Sequence, residues 1–235
     1  MNHPIIICGA PRSGTTLLTS ILDSHPEIVC IPYETMLFIP RKRGELNHDS
    51  LRIRITLFLT LISLKIGKST NRWCEKTPYN VLYISKINQF FNGKVRFIHI
   101  IRDGRDVVLS HHSHLGSFMT PGRWAKCVEA GLDRADMYNL LTIRYEDLVR
   151  DNLTTLARIE EFLELRSPLN PDFYINTGVG LTQSFVDGKG YEEVFIPAKI
   201  HSRSIGKYLY HKDNKKLSLF DLPRFSLLLK KLGYK

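Results

Sequence analysis

The chain has 235 residues, 43% of them hydrophobic, and carries a formal net charge of +10. That apolar content suffices for one sizeable core in a single domain spanning 1–235 and excludes a low-complexity chain. The charge leaves nucleic acid, an anionic membrane surface and small anionic ligands as partners, while Cys8, Cys30, Cys74 and Cys127 form no CxxC pair and no zinc spacing with histidine.

The apolar run 5–8 is too short for the hydrophobic core of a secretory leader, so no signal peptide is expected. Residues 4–8 (PIIIC) read instead as a buried parallel strand. A glycine-containing turn follows, then a helix over 15–22 and a short strand over 28–31. Residues 36–67 read as helical with a loop near 44–50. Within them the apolar stretch 55–64 is interrupted by Thr56, Thr60 and Ser63 and flanked by Arg54 and Lys65. A spanning helix needs about 20 apolar residues, so this stretch predicts a core or lid helix and no membrane span. A short strand is expected over 72–75, and Pro78 suits the first turn of a helix running to 91. The clearest later strand covers 94–101 (KVRFIHII). Helices are expected over 106–114 and 122–138, a strand over 140–144 and a helix over 154–163. Beyond Ser167 the pattern weakens, with Pro, Gly and Asn spaced through it, until a last helix over 223–232. Cys8 and Cys30 fall in strand-like runs, so the thiols read as buried and reduced, which fits a reducing, cytoplasmic compartment.

Strands alternating with helices predict an α/β fold, a three-layer domain with a central parallel sheet flanked by helices. Ligands of such sheets bind at the carboxyl ends of the strands. Two sharp motifs fall there, after Cys8 and after Ile101.

The first is Gly9-Ala10-Pro11-Arg12-Ser13-Gly14-Thr15-Thr16, a G-x-x-x-x-G turn between strand and helix, as in P-loop-like domains. Its glycines let backbone N–H groups point inward, and the helix N-terminus adds positive potential. Thr15 stands where a Walker loop carries Lys, and Arg12 is the cation available in its place. P-R-S-G-T-T after an apolar strand resembles the 5'-phosphosulfate loop of sulfotransferases that use 3'-phosphoadenosine-5'-phosphosulfate (PAPS). That resemblance implies that Arg12, Ser13, Gly14, Thr15 and Thr16 hold the donor's 5' end.

The second motif runs from Arg102 through Asp103, Gly104, Arg105 and Asp106 to Ser110. A strand-end Arg can grip a phosphate with both arms of its fork, and Ser110 is two helical turns further on. R-D-x-R-D-x-x-x-S resembles the family's 3'-phosphate motif. Its bland alternative pairs Arg102 and Arg105 with Asp103 and Asp106 on a solvated helix start. Arg144-Tyr145-Glu146-Asp147-Leu148 resembles the family's segment after a central strand, which implies that Tyr145 lies near the adenine; Glu146 and Asp147 are expected to begin the next helix. Residues 199–208 resemble the late loop that folds over the nucleotide in family members. That likeness offers Lys199, Arg203, Ser204 and Lys207 as further donor contacts without choosing among them.

Sulfonyl transfer needs in-line positioning, stabilisation of the leaving oxygen and removal of the acceptor proton. Three groups compete as the base. Glu34, in Pro32-Tyr33-Glu34-Thr35, resembles the catalytic Glu-Thr of tyrosylprotein sulfotransferases. Glu75, in Trp73-Cys74-Glu75-Lys76-Thr77-Pro78, resembles the segment whose Glu is the base in heparan sulfate enzymes. His99, His111 and His112 match no motif. Lys76 is the expected cation at the leaving oxygen, with Arg12 competing. With Thr15 in the loop and no acidic cluster, no metal is expected.

The function expected is an O-sulfotransferase of carbohydrate, tyrosyl or small-alcohol hydroxyls, yielding adenosine 3',5'-bisphosphate, with 36–69 and 178–199 lining the acceptor side. Rivals are a P-loop kinase or NTPase, which needs Lys at position 15, and a non-catalytic nucleotide or nucleic-acid binding module. The scattered basic residues lack the interleaved aromatic platform that nucleic-acid binding needs.

Overall fold

The computed structural model of the chain describes residues 3–40, 50–63, 72–110, 119–176, 195–200, 202–210 and 217–234. At its centre five strands stand side by side. The strands are β1 (Ile5–Gly9), β2 (Ile28–Cys30), β3 (Arg72–Lys76), β4 (Arg96–Ile101) and β5 (Leu140–Arg144), in the order β2-β3-β1-β4-β5. Every adjacent pair is parallel, with Ile5 beside both Cys74 and Arg96. All five strands therefore deliver their carboxyl ends to one edge, where such a sheet carries its ligands.

Side chains of a strand alternate between faces, so β1 feeds two cores. Ile5 and Ile7 join Ile98 and Ile100 beneath α1 (Thr15–Asp23) and α7 (Asn152–Leu163). Ile6 and Cys8 join Phe97, Trp124 and Phe225 on the opposite face. That second face is covered by α2 (Ser50–Ser63), α3 (Ile84–Phe90), α4 (Gly104–Leu109), α5 (Pro121–Leu132) and a last helix, α8 (Pro223–Lys231). The result is the expected three-layer α/β domain. All four cysteines are buried free thiols, and Cys30 stands beside Cys74 across β2 and β3. Among the described residues no helix is long and apolar enough to cross a membrane.

Several expected elements change. The helix expected from residue 36 is not continuous. Met36 takes a left-handed φ of 53°, and only α2 is helical in the described part of 36–67. The cause is local competition for amides, since the N–H groups of Thr35, Met36 and Leu37 donate to the side chains of Glu75, Thr77 and Thr35. Most of the expected loop at 44–50 lies outside the described residues. The helix expected from Pro78 to 91 opens as a 3₁₀ segment (Pro78–Tyr83) before α3. The helix expected over 122–138 stops at Leu132 and gives way to turns. Glu146 and Asp147 open a helix as expected, but it is a separate short one, α6 (Tyr145–Arg150), ahead of α7. The antiparallel pair β6 (Asp172–Asn176) and β7 (Phe195–Lys199) was not expected. α4 ends at Leu109, Ser110 is extended instead of helical, and 111–114 of the helix expected to 114 lie outside the described residues.

Close approach of α5 to β4 depends on one glycine. A Cβ at Gly131 would lie 2.1 Å from Cε1 of the fully buried His99. Gly131→Ala gains up to about 1 kcal/mol of helix propensity. Overpacking a rigid core costs about 1–3 kcal/mol and should win. We expect a net loss of at least about 1 kcal/mol, read from the denaturant midpoint at unchanged m-value.

Candidate active site

The loop after β1 is shaped by backbone that few side chains tolerate. Gly14 has φ 97°, and a Cβ there would come within 2.4 Å of the Tyr145 ring. Tyr145 therefore packs on the turn itself, and only glycine lets it. Arg12 also has positive φ, 73°, unusual for a residue with a side chain. The Ser13 N–H donates to Ala10 O at 3.1 Å, closing the turn. Among the described residues no side chain caps α1, and the buried Ser13 Oγ has no hydrogen-bond partner. Amides at an uncapped helix start and a buried hydroxyl suit an incoming anion. Thr15 is buried behind them, and Thr16 is exposed at the mouth.

Arg102, at the end of β4, ties this loop to the rest. It is 7% exposed. Its Nη1 donates to Arg12 O at 2.9 Å, Nη2 donates to Ser204 O, and its guanidinium lies 4.5 Å over the Tyr145 ring. The Nε–H has no partner among the described residues. Arg12 Nε donates to Ser110 Oγ at 2.9 Å. Partial burial, then the Arg102 charge, push the Arg12 guanidinium below its ordinary value. Two cations held this close favour a nearby negative charge, and the buried Asp106 carboxylate lies 3.9 Å from Arg102 Nη2. Sequence-separated Arg12, Ser13, Gly14, Arg102, Ser110, Tyr145 and Ser204 thus meet in one cluster. Arg203 and Lys207 are exposed beside it. Lys199 ends β7, and its side chain lies outside the described residues, as do His111 and His112.

A second cluster sits at the end of β3, whose Lys76 pairs in register with Ile7 of β1. Lys76 Nζ donates to Glu34 Oε1 at 2.8 Å; the Lys76 side chain is 3% exposed and that of Glu34 33%. Glu75 is different. It is fully buried and accepts from Thr35 Oγ1 at 2.8 Å, Thr77 Oγ1 at 2.5 Å and Asn80 Nδ2 at 2.6 Å. Burial pushes its carboxyl upward, and hydrogen bonds from Thr77 and Thr35 oppose that shift. His99 lies inside the sheet against Gly131, and burial lowers its pKa to about 4.

Sequence reasoning missed the supports of both clusters. Thr35, Thr77 and Asn80 hold Glu75, and Trp124 Nε1 donates to Arg102 O at 3.1 Å. Glu146 Oε1 accepts from the Asp103 N–H at 2.9 Å, and Glu146 Oε2 from Tyr234 OH at 3.0 Å. Of these, only Thr77 and Asn80 carried a local signal, their closeness to Glu75. Among the described residues no three His, Cys, Asp or Glu side chains form a group that could hold a metal ion.

Comparison with known proteins gives a consistent result. The profile described as "Sulfotransferase family" matches residues 4–63 and 56–168. A putative protein-tyrosine sulfotransferase of Caenorhabditis briggsae is 28% identical over 185 residues, covering 69% of this chain and 65% of that protein. The sulfotransferase domain of the Synechococcus PCC 7002 olefin synthase shares the fold with a TM-score of 0.65 at 19% identity, covering 100% of this chain and 97% of that domain. A mouse sulfotransferase complexed with PAP aligns with a TM-score of 0.53 at 16% identity, covering 100% and 89%. The chain spans between 46% and 65% of the length of the first three curated relatives it matches.

The burial of His99 makes a pH prediction. Its folded pKa of about 4 lies below the ordinary histidine value of 6.5. Between those values the unfolded chain takes up a proton that the folded chain refuses. The stability contribution is fully present above about pH 6.5 and is lost as pH falls towards about 4. On the order of 3 kcal/mol is at stake, at 1.36 kcal/mol per unit. Denaturant midpoints measured from pH 7 to pH 5 should fall in the native chain and fall less in His99→Gln.

Proposed function

Because the chain belongs to the sulfotransferase family, we propose that it transfers a sulfonyl group from PAPS to an acceptor hydroxyl, releasing adenosine 3',5'-bisphosphate. The observation that carries this reading is the convergence of Arg12, Arg102 and Ser110 between the β1 loop and residues 202–208. It offers cations and hydroxyls for two separate anionic groups of one nucleotide. The donor supplies an activated sulfonyl group on a phosphate leaving group, and everything else falls to the chain.

In this reading the amides of Gly14 to Thr16, the Ser13 hydroxyl and Arg12 hold the 5' end. Arg102, through its unpartnered Nε–H, and Ser110 hold the 3'-phosphate, and Tyr145 faces the adenine. Glu34 takes the acceptor proton as the new O–S bond forms and the S–O bond to the phosphate breaks. Lys76 first orients Glu34 and then neutralises the leaving oxygen. Electrostatic stabilisation of that kind is commonly the largest catalytic contribution. Glu34 is preferred over Glu75 because its carboxylate reaches solvent, whereas Glu75 is enclosed by donors on the residues that flank the site. Glu75 then acts as a positioning residue that fixes the Thr35 turn, and His99 is a core residue. The reaction is read as metal-independent, with Thr15 in place of a Walker Lys. A peptide tyrosyl hydroxyl is the first acceptor to assay, given the relatives' names, with carbohydrates and small alcohols beside it. The buried free thiols agree with a cytoplasmic setting.

Two measurements test the assignment. Glu34→Gln keeps the shape and removes the base, so turnover of labelled PAPS should fall by roughly 100-fold or more with donor affinity little changed. Loss of turnover in Glu75→Gln, with the fold intact and Glu34→Gln active, would move the base to Glu75. Separately, Arg102→Ala should weaken adenosine 3',5'-bisphosphate at least tenfold more than adenosine 5'-monophosphate in calorimetric titrations. Equal losses would remove Arg102 from the 3'-phosphate.

A further inference from the structure

The charged residues after β4 do not form the solvated helix start that their pattern allows. Arg105 does pair with Asp103: Nε donates to Oδ1 at 3.0 Å and Nη2 to Oδ2 at 2.7 Å. Asp103 also caps α4 by accepting from the Arg105 N–H at 2.9 Å. Asp106 is only 3% exposed, and it is turned inward. Its Oδ2 accepts from the Gly206 N–H at 2.7 Å and its Oδ1 from the Tyr208 N–H at 3.1 Å. Arg102 Nη2 lies 3.9 Å from the same carboxylate. One buried carboxylate therefore grips two amides of a segment 100 residues further along the chain.

Resting on the sulfotransferase reading, we propose that Asp106 is a positioning residue that builds one wall of the donor site by fastening residues 204–208 against Arg102. Hydrogen bonds to a charged group contribute more than neutral ones, and a carboxylate that lost these two amides would be buried without partners. The attachment is reinforced where Arg105 lies 3.9 Å over the Tyr208 ring. It also fixes Gly206, whose φ of 71° lets the chain turn back towards Ser204. Ser204 O, in turn, holds Arg102. Asp106 thus acts on the donor through the loop and through Arg102, without touching the donor itself.

The test reads loop order and ligand binding separately. Amide hydrogen exchange of residues 204–208 is measured in ligand-free native protein, Asp106→Asn, Asp106→Ala and Tyr208→Ala. Exchange should quicken at least tenfold in Asp106→Ala, by less in Asp106→Asn, which keeps one acceptor, and measurably in the half-buried Tyr208→Ala. Calorimetric affinity for adenosine 3',5'-bisphosphate should fall at least tenfold in Asp106→Ala, with less loss for adenosine 5'-monophosphate. Tyr208→Ala leaves the core intact and keeps the test open if Asp106→Ala fails to fold. Unchanged exchange in Asp106→Asn and Tyr208→Ala overturns the proposal, as does loop loosening that leaves bisphosphate affinity intact. Failure of the native protein to bind the bisphosphate at all, with the exchange changes present, would instead overturn the donor reading.

Discussion

A guanidinium taken almost completely out of water must find acceptors, or it destabilises the fold that buries it. Arg102 meets that demand by reaching across the molecule. It donates to a carbonyl of the β1 loop, donates to a carbonyl of the late segment, and lies on the Tyr145 ring. Its own carbonyl is held by Trp124 from the second core. Four parts of the chain that are remote in sequence are thus set relative to one another through one residue. The arrangement leaves the Nε–H without a partner among the described residues. The fold's own needs thus fix a cation at the carboxyl edge of the sheet.

The two clusters of the site are built in opposite ways. Around Arg102 and Arg12 two guanidinium groups are held close together, with the Asp106 carboxylate 3.9 Å from Arg102. Around Glu75 a negative charge is matched by hydroxyl and amide donors and sealed. Between them Lys76 and Glu34 form an ion pair whose partners differ sharply in exposure. A pair of that kind is held by its buried member, while the outer member keeps contact with solvent and with anything that enters.

What the sequence made legible was local. The loop from Gly9 to Thr16, the strands and most helices follow from runs of neighbouring residues, and they place Arg12 and Arg102 at the correct edge of the sheet. The burial of Glu75 could not be read, because the hydroxyl of Thr35 that holds it is 40 residues away. The same contact misled the helix reading from residue 36, since side chains take up amides that a helix would have used. Asp106 was given no role of its own, because its partners, Gly206 and Tyr208, lie 100 residues or more away. The β6–β7 pair was missed in a stretch where Pro197 stands inside a strand.

The position of β1 carries a cost during the formation of the fold. This strand lies in the middle of the sheet, between β3 and β4. Ile5 can pair only with Cys74 and Arg96, and all five residues of β1 are buried in the finished fold. While the chain is being synthesised, the most apolar strand is made well before either neighbour exists. Both of its edges then expose unpaired amides and isoleucine side chains, and no short-range hairpin can cover them. Long loops must close before the pairing is repaid, which slows collapse and prolongs exposure. The ribosome-bound or newly released chain is therefore most vulnerable to aggregation through 5–9, and a chaperone that shields extended apolar segments would act there first.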